Sequence, residues 1–374
     1  MPPSPFSPRP ASPDAADAPA ADTPTADTPT ADTPYADLTP AAVLDALDAV
    51  GLRGDGRLLQ LNSYENRVFQ VHLEDGAVIV AKFYRAGRWS DAAILEEHAF
   101  ARQLAEAEVP MVAPLVLQPD HPDHTEGPDA PTLLGTPPTL ARRGTLRWAA
   151  APRRGGRAPN LEDPEVLAWL GRLLGRLHNV GAAEPFAHRP RLDVATLGRG
   201  ARDWLIEHDV VPPEQIGVWR GAADEALDLA QAAFDALPDV RWLRVHGDCH
   251  VGNLLWTPDG PHFVDLDDTG TAPAVQDLWM MLGADPVERR RQLDALLGGY
   301  EQVREFDDRE LRLIEPLRTL RLLHHSAWIA RRWRDPAFPV AFPWFDSPAY
   351  WAGQAQQLRQ QIELMAPRPD WADA

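Results

Sequence analysis

Lysine is almost missing from this chain. Of its 36 basic residues 35 are arginine, and the only lysine in 374 residues is Lys82. Arginine serves at almost any solvated basic position, so a single surviving lysine marks a place that suits a compact ammonium rather than a planar guanidinium. Cysteine is as scarce: the one thiol, Cys249, excludes an internal disulfide and fits a reducing compartment. No apolar run reaches the roughly 18 residues a membrane span needs, and no basic segment followed by an apolar one opens the chain. Positive charge is in deficit, 36 basic residues against 55 acidic ones for a formal charge of −19. A surface of that sign repels phosphate backbones and anionic lipid. These absences argue against nucleic-acid or membrane binding as the main task, and the expectation is a soluble, cytoplasmic protein.

What is present is an ordinary globular composition, 44% hydrophobic and 24% charged, in a length that suits two domains or one two-lobed unit. Residues 1–37 stand apart as an acidic Pro/Thr/Ala tail containing ADTPT, ADTPT and ADTPY in succession. They hold too little apolar surface to offset ordering entropy, so this segment reads as disordered. Thr39-Pro40 is a helix start, with Thr39 as cap and Pro40 in the first turn. Arg67–Leu73 alternates as a strand, 74–77 is a turn, and Val78–Tyr84 returns. Ser90 caps a helix to Ala107, 118–138 reads as a proline-rich surface loop, and a further strand lies near 146–151. Beyond a Gly/Arg/Pro linker the pattern turns helical, from Asp163-Pro164 onward, with one β segment inserted at 242–268. The expected fold class is α+β: a β-rich N-lobe over 38–150 and a large helical C-lobe over 151–374, with the ligand cleft between them.

The densest polar cluster is HGDCHVGN, His246–Asn253, followed after a Pro258-Asp259-Gly260 turn by FVDLDD, Phe263–Asp268. The flanking apolar residues make this a β-hairpin that brings Asp248 and Asn253 to one end beside Asp265. Three hard oxygen donors there suit a cation such as Mg²⁺. His-x-Asp-x-x-x-x-Asn is also the spacing of the kinase catalytic loop, in which the Asp orients the acceptor hydroxyl and the Asn holds metal. A following strand-end Asp bridges metal to phosphates, the position of Asp265. Lys82, in Val78-Ile-Val-Ala-Lys82, takes the place of the phosphate-anchoring lysine, and Glu97 on the next helix is its expected partner. A Gly-rich phosphate loop is lacking. The turn Leu61–Asn66 has no glycine, and the Ser63 hydroxyl with nearby backbone N–H groups is the alternative phosphate contact.

Together LNSYENRVFQV, VAKFYR, HGDCHVGN, FVDLDD, PAVQDLWMML and IEPLR resemble the bacterial stress response kinase A family, over about Thr39 to Trp351. That family lies in the aminoglycoside phosphotransferase and choline kinase branch of the kinase-like fold. The resemblance implies a bilobal, ATP- and Mg²⁺-dependent serine/threonine protein kinase of the cytoplasm, monomeric and linked to stress, whose substrate is a protein with a Ser/Thr acceptor, the chain itself being one candidate. By it Ser63, Lys82 and Glu97 belong to the nucleotide site, Asp248 and Asp265 are catalytic, and Asn253 and Asp265 ligate metal. A small-molecule kinase for aminoglycosides, choline or homoserine is the alternative, which an acidic cleft would favour. Two readings from other classes share these residues. Asp265-x-Asp267-x-Thr269 matches a phosphatase nucleophile motif but has no later lysine, and His246, Asp248, Cys249 and His250 carry metal-ligand chemistry on one short loop. Cys249 reads as a buried filler more readily than as a redox switch.

Overall fold

The computed structural model describes residues 34–118 and 130–366. The repeat-bearing residues 1–33 lie outside that set, but Tyr35, assigned above to the tail, does not behave as tail. Its ring packs against the N-lobe core, and its hydroxyl donates to the Glu65 carbonyl at 3.1 Å. The tail therefore ends earlier than composition alone suggests.

Thr39 caps helix α1 (Pro40–Asp48) by accepting the Ala42 N–H, and Val43, Ala46 and Leu47 turn inward. They cover a six-stranded antiparallel sheet in the order β1-β2-β3-β6-β5-β4. Its strands are β1 (Gly54–Leu61), β2 (Arg67–Leu73), β3 (Val78–Phe83), β4 (Thr132–Leu134), β5 (Leu140–Arg143) and β6 (Leu146–Pro152). β4 corrects the reading of 118–138 as loop throughout, and β1 and β5 were not foreseen. Helix α2 (Asp91–Glu106), capped by Ser90, follows β3. Its Ile94 packs with the sheet, whereas Phe100, Ala101 and Leu104 join the core of the large lobe. One helix is thus shared by both cores.

The large lobe is built from α3 (Pro164–Gly181), α4 (Gly200–Glu207), α5 (Pro213–Asp235), α6 (Gln276–Trp279), α7 (Pro286–Tyr300), α8 (Ile314–Ala330), α9 (Ala337–Ala341) and α10 (Pro348–Met365). A 3₁₀ segment at Asp308–Leu313 precedes α8. Between α5 and α6 sit β7 (Leu243–Val245), β8 (Leu254–Thr257), β9 (Gly260–Phe263) and β10 (Gly270–Ala272). β8 and β9 form the expected hairpin, and β10 pairs antiparallel with β7. The hairpin is fastened to the chain leaving α2, because Phe263 N–H donates to the Pro110 carbonyl at 2.8 Å and Val112 N–H to that of Phe263 at 3.2 Å. Lys82 of β3 meets Asp265 and Asp267, just past β9, where sheet and hairpin face each other. No helix among the described residues is long and apolar enough to cross a membrane.

Candidate active site

Asp248 is placed by a turn that the sequence can make at one point only. The chain leaving β7 reverses at Gly247, whose φ is +87°, and a Cβ there would stand 2.1 Å from the Asp268 carbonyl oxygen. Only glycine fits such a left-handed, backbone-crowded position. Asp277, fully buried at the start of α6, accepts the N–H groups of His246 at 2.7 Å and Gly247 at 2.8 Å. His178 Nε2 lies 3.0 Å from the same carboxylate. His246 Nε2 reaches the Val264 carbonyl at 2.9 Å, tying the loop to the hairpin. Three directions are thereby fixed before Asp248 begins.

Asp248 then projects beside Asn253, whose Nδ2 donates to its carbonyl at 3.0 Å and to Oδ2 at 3.3 Å. His250 caps the 3₁₀ turn Val251–Asn253 through Nδ1, and its Nε2 stands 3.4 Å from Asp248 Oδ2. On the other side Arg321 of α8 sets Nη1 2.7 Å from Oδ1. Burial alone would raise the Asp248 carboxyl, but Arg321 and His250 outweigh it and hold the group well below the usual carboxylate range. Asp265 follows at the open end of the hairpin, with a left-handed φ of 62° and a side chain more than half exposed. Val264 N–H donates to the Asn253 carbonyl at 3.1 Å, so Asp265 and Asn253 flank one backbone link.

Lys82 arrives from β3, paired there with Val68 and Ala149. Its Nζ lies 2.9 Å from Asp267 Oδ1, 3.3 Å from Asp265 Oδ1 and 3.7 Å from Glu97 Oε1. Burial lowers an ammonium pKa, yet these three carboxylates prevail and keep it well above its ordinary value. The fold brings Lys82 to the hairpin end from the other lobe. Glu97 is the partner the sequence indicated. Its neighbour Glu96 instead accepts the backbone N–H groups of Ala187, His188 and Arg189 at 2.6–2.9 Å. Ser63 lies in the β1–β2 turn, where its Oγ accepts the Asn66 N–H at 3.3 Å. The turn is tied across the cleft: Asn66 Nδ2 donates to Asp267 at 3.2 Å, and Glu65 takes Trp328 Nε1 at 2.6 Å and Arg332 Nε at 2.7 Å.

Several participants were missed by the sequence reading. Asp267 is buried on Lys82 and Arg88, and burial, which would raise its carboxyl, yields to Arg88 and Lys82, so the group is held far down. Its only sequence signal was the aspartate-rich stretch taken above as a rival phosphatase motif. Arg88 also binds Asp268 at 2.5 Å, and Arg189 joins Glu97 at 3.7 Å. Among 35 arginines nothing local singles these out. Among the described residues no three His, Cys, Asp or Glu side chains gather to hold a metal by themselves. Cys249 is wholly buried, and burial pushes its thiol far up, which fits the filler reading.

Residues 57–314 match the sequence profile described as "Phosphotransferase enzyme family". "Stress response kinase A" of Salmonella choleraesuis is 41% identical over 332 residues, covering 89% of this chain and 95% of that protein. "Serine/threonine protein kinase RdoA" of Salmonella typhimurium is also 41% identical, over the same shares. Among solved structures, the amicoumacin kinase hAmiN in complex with AMP-PNP, Ca²⁺ and Ami superposes with a TM-score of 0.64 at 19% identity. That match covers 87% of this chain and 94% of the other.

Proposed function

This chain belongs to the phosphotransferase enzyme family and to the stress response kinase A group, and from that premise we propose an ATP- and Mg²⁺-dependent serine/threonine protein kinase, monomeric and cytoplasmic. One observation carries the site assignment: Lys82, alone of its kind, stands within 4 Å of Glu97, Asp265 and Asp267, at the hairpin end that Asp248 and Asn253 share. Lys82 anchors the nucleotide phosphates, with Glu97 holding the ammonium in place, and the Ser63 turn covers them.

The donor set fits a hard divalent cation. Asn253 spends its amide nitrogen on Asp248, which leaves its oxygen as the group to offer, and Asp265 adds an exposed carboxylate. Two protein oxygens with the remainder from phosphates and water is how Mg²⁺ is commonly held. When bound, the ion neutralises charge on the β- and γ-phosphates.

Asp248 accepts a hydrogen bond from the acceptor hydroxyl and aims its oxygen at the γ-phosphorus. The new O–P bond forms as the bond to the bridging β–γ oxygen breaks, ADP leaves, and the hydroxyl proton passes late to Asp248 and from it to solvent. A carboxylate held as far down as Asp248 is a weak base, which supports orientation rather than early proton abstraction. Phosphoryl transfer asks for positioning more than covalent chemistry, so this small set suffices. The protein acceptor rests on the name of the Salmonella typhimurium relative.

The test is transfer of labelled phosphate from ATP with Mg²⁺, wild type beside Asp248→Ala, offered a basic protein, casein, amino alcohols and sugars. Label on protein serine or threonine that the variant loses is the expected result. Label confined to a small molecule would replace the protein-kinase reading with the metabolite or antibiotic branch.

A further inference from the structure

We infer that Arg321 sets the charge class of the acceptor: by pairing with Asp248 it excludes hydroxyl compounds that carry an ammonium or guanidinium beside the reacting hydroxyl. The inference rests on the proposed role of Asp248 and goes beyond it to the substrate.

The chain is strongly acidic overall, and an acidic cleft would draw in cations. Among the described residues, five acids around the hairpin end and the β1–β2 turn are nevertheless each matched by a cation of the protein itself. Asp265 and Asp267 lie on Lys82 at 3.3 and 2.9 Å, and Asp268 on Arg88 at 2.5 Å. Glu65 lies on Arg85 at 3.2 Å and Arg332 at 2.7 Å. Asp248 is the acid nearest the reacting hydroxyl, and Arg321 stands 2.7 Å from it while 29% of the arginine side chain remains exposed. The guanidinium cancels the one carboxylate that would otherwise attract a cationic acceptor, so such an acceptor finds no net negative charge there to offset the water it gives up.

Beside Arg321 that flank carries aromatic rings. One turn along α8, His325 stacks on Trp328 at 5.7 Å and meets Phe342 edge-on, and Phe342 in turn meets Tyr64 at 5.0 Å. Burial, with Arg321 beside it, lowers the His325 imidazole to about 4, so at neutral pH this wall is aromatic and uncharged. An acceptor approaching Asp248 therefore meets the Arg321 guanidinium, the His250 imidazole 3.4 Å from the carboxylate, and a row of aromatic rings.

The experiment uses the full chain with ATP and Mg²⁺. Acceptors are serine peptides matched except for flanking Lys, Gln or Glu, together with an amino alcohol and its uncharged counterpart. Wild type should favour the Gln and Glu peptides over the Lys peptide in kcat/KM by at least about tenfold. Arg321→Gln should narrow that gap by lowering KM for the Lys peptide and the amino alcohol, whereas Arg321→Lys should restore wild-type discrimination. A guanidinium needed only to hold the loop would instead cost every acceptor the same factor in kcat, and that result overturns the inference. So does a wild-type preference for cationic acceptors. Thermal unfolding of both variants separates misfolding from altered choice. If transfer persists in Asp248→Ala, the proposed role of Asp248 falls and this inference with it. If transfer needs Asp248 but ignores acceptor charge, only the inference falls. Label on the neutral small molecule alone removes the peptide acceptor and leaves the charge rule standing.

Discussion

Lys82 sits where three carboxylates converge, flanked at the next remove by the guanidinium groups of Arg88 and Arg189. A point charge on a slim stem can serve all three acids at once, whereas a planar fork commits to one or two. Lys82→Arg should therefore keep the fold but reduce phosphotransfer by about 100-fold or more, as loss of one transition-state contact does elsewhere. Steady-state kinetics beside a thermal melt checks this; near-normal turnover would contradict the placement. Lys82→Met, which takes away the ammonium the three acids share and leaves Asp267 to Arg88 and Glu97 to Arg189 alone, should also destabilise by about 3 kcal/mol, read by urea unfolding. A second residue makes a statement about pH. Glu310 is buried where it accepts the Val275 N–H at 2.9 Å, and burial pushes its carboxyl up from 4.5 to about 7. A raised folded-state pKa means that the stability it contributes is complete below pH 4.5 and fades as pH climbs through 7. Glu310→Gln should match wild type near pH 4.5 and surpass it at pH 8, in melts taken across that range.

At the scale of elements, the active loop is held by helix ends. Asp277, at the head of α6, takes two backbone N–H groups from the loop and faces His178 of α3. Asp277→Ala orphans those donors in a dry site, so a loss of about 2–4 kcal/mol is expected. Activity should fall further than stability, because Asp248 loses its aim. A variant that melts early but turns over normally once folded would show that α6 supports the lobe and not the loop. Much of this was legible in the sequence. Caps at Thr39, Ser90 and Asp163, the hairpin, and the pairing of Lys82 with Glu97 all follow from short-range pattern and spacing. β1 was hidden because five of its eight residues are exposed and its register shifts between Gly54 and Leu58, so apolar alternation is lost. β4 is three residues set in a proline-rich stretch. The ion pairs of Arg88 and Arg321 left no trace because their partners lie far off in the chain, and arginine in a nearly lysine-free sequence is uninformative about place.

Across the whole molecule, two cores meet along α2 and along the backbone bonds between Pro110–Val112 and the hairpin. The β1–β2 turn is further clamped to α8 through Glu65 and to the hairpin through Asn66. The N-lobe is thus steadied from below as well as by its own sheet. That arrangement turns the near-absence of lysine into a gauge. A lysine-specific endoprotease has a single bond to cut, after Lys82, in a strand paired on both sides and with the side chain mostly buried. Cleavage requires that the sheet open. The folded protein should resist, and the rate at which fragments 1–82 and 83–374 appear should rise with urea, tracking N-lobe opening alone while the large lobe stays silent. Bound nucleotide should slow the cut. A single protease, one gel and one bond then report the local breathing of half a molecule without any label.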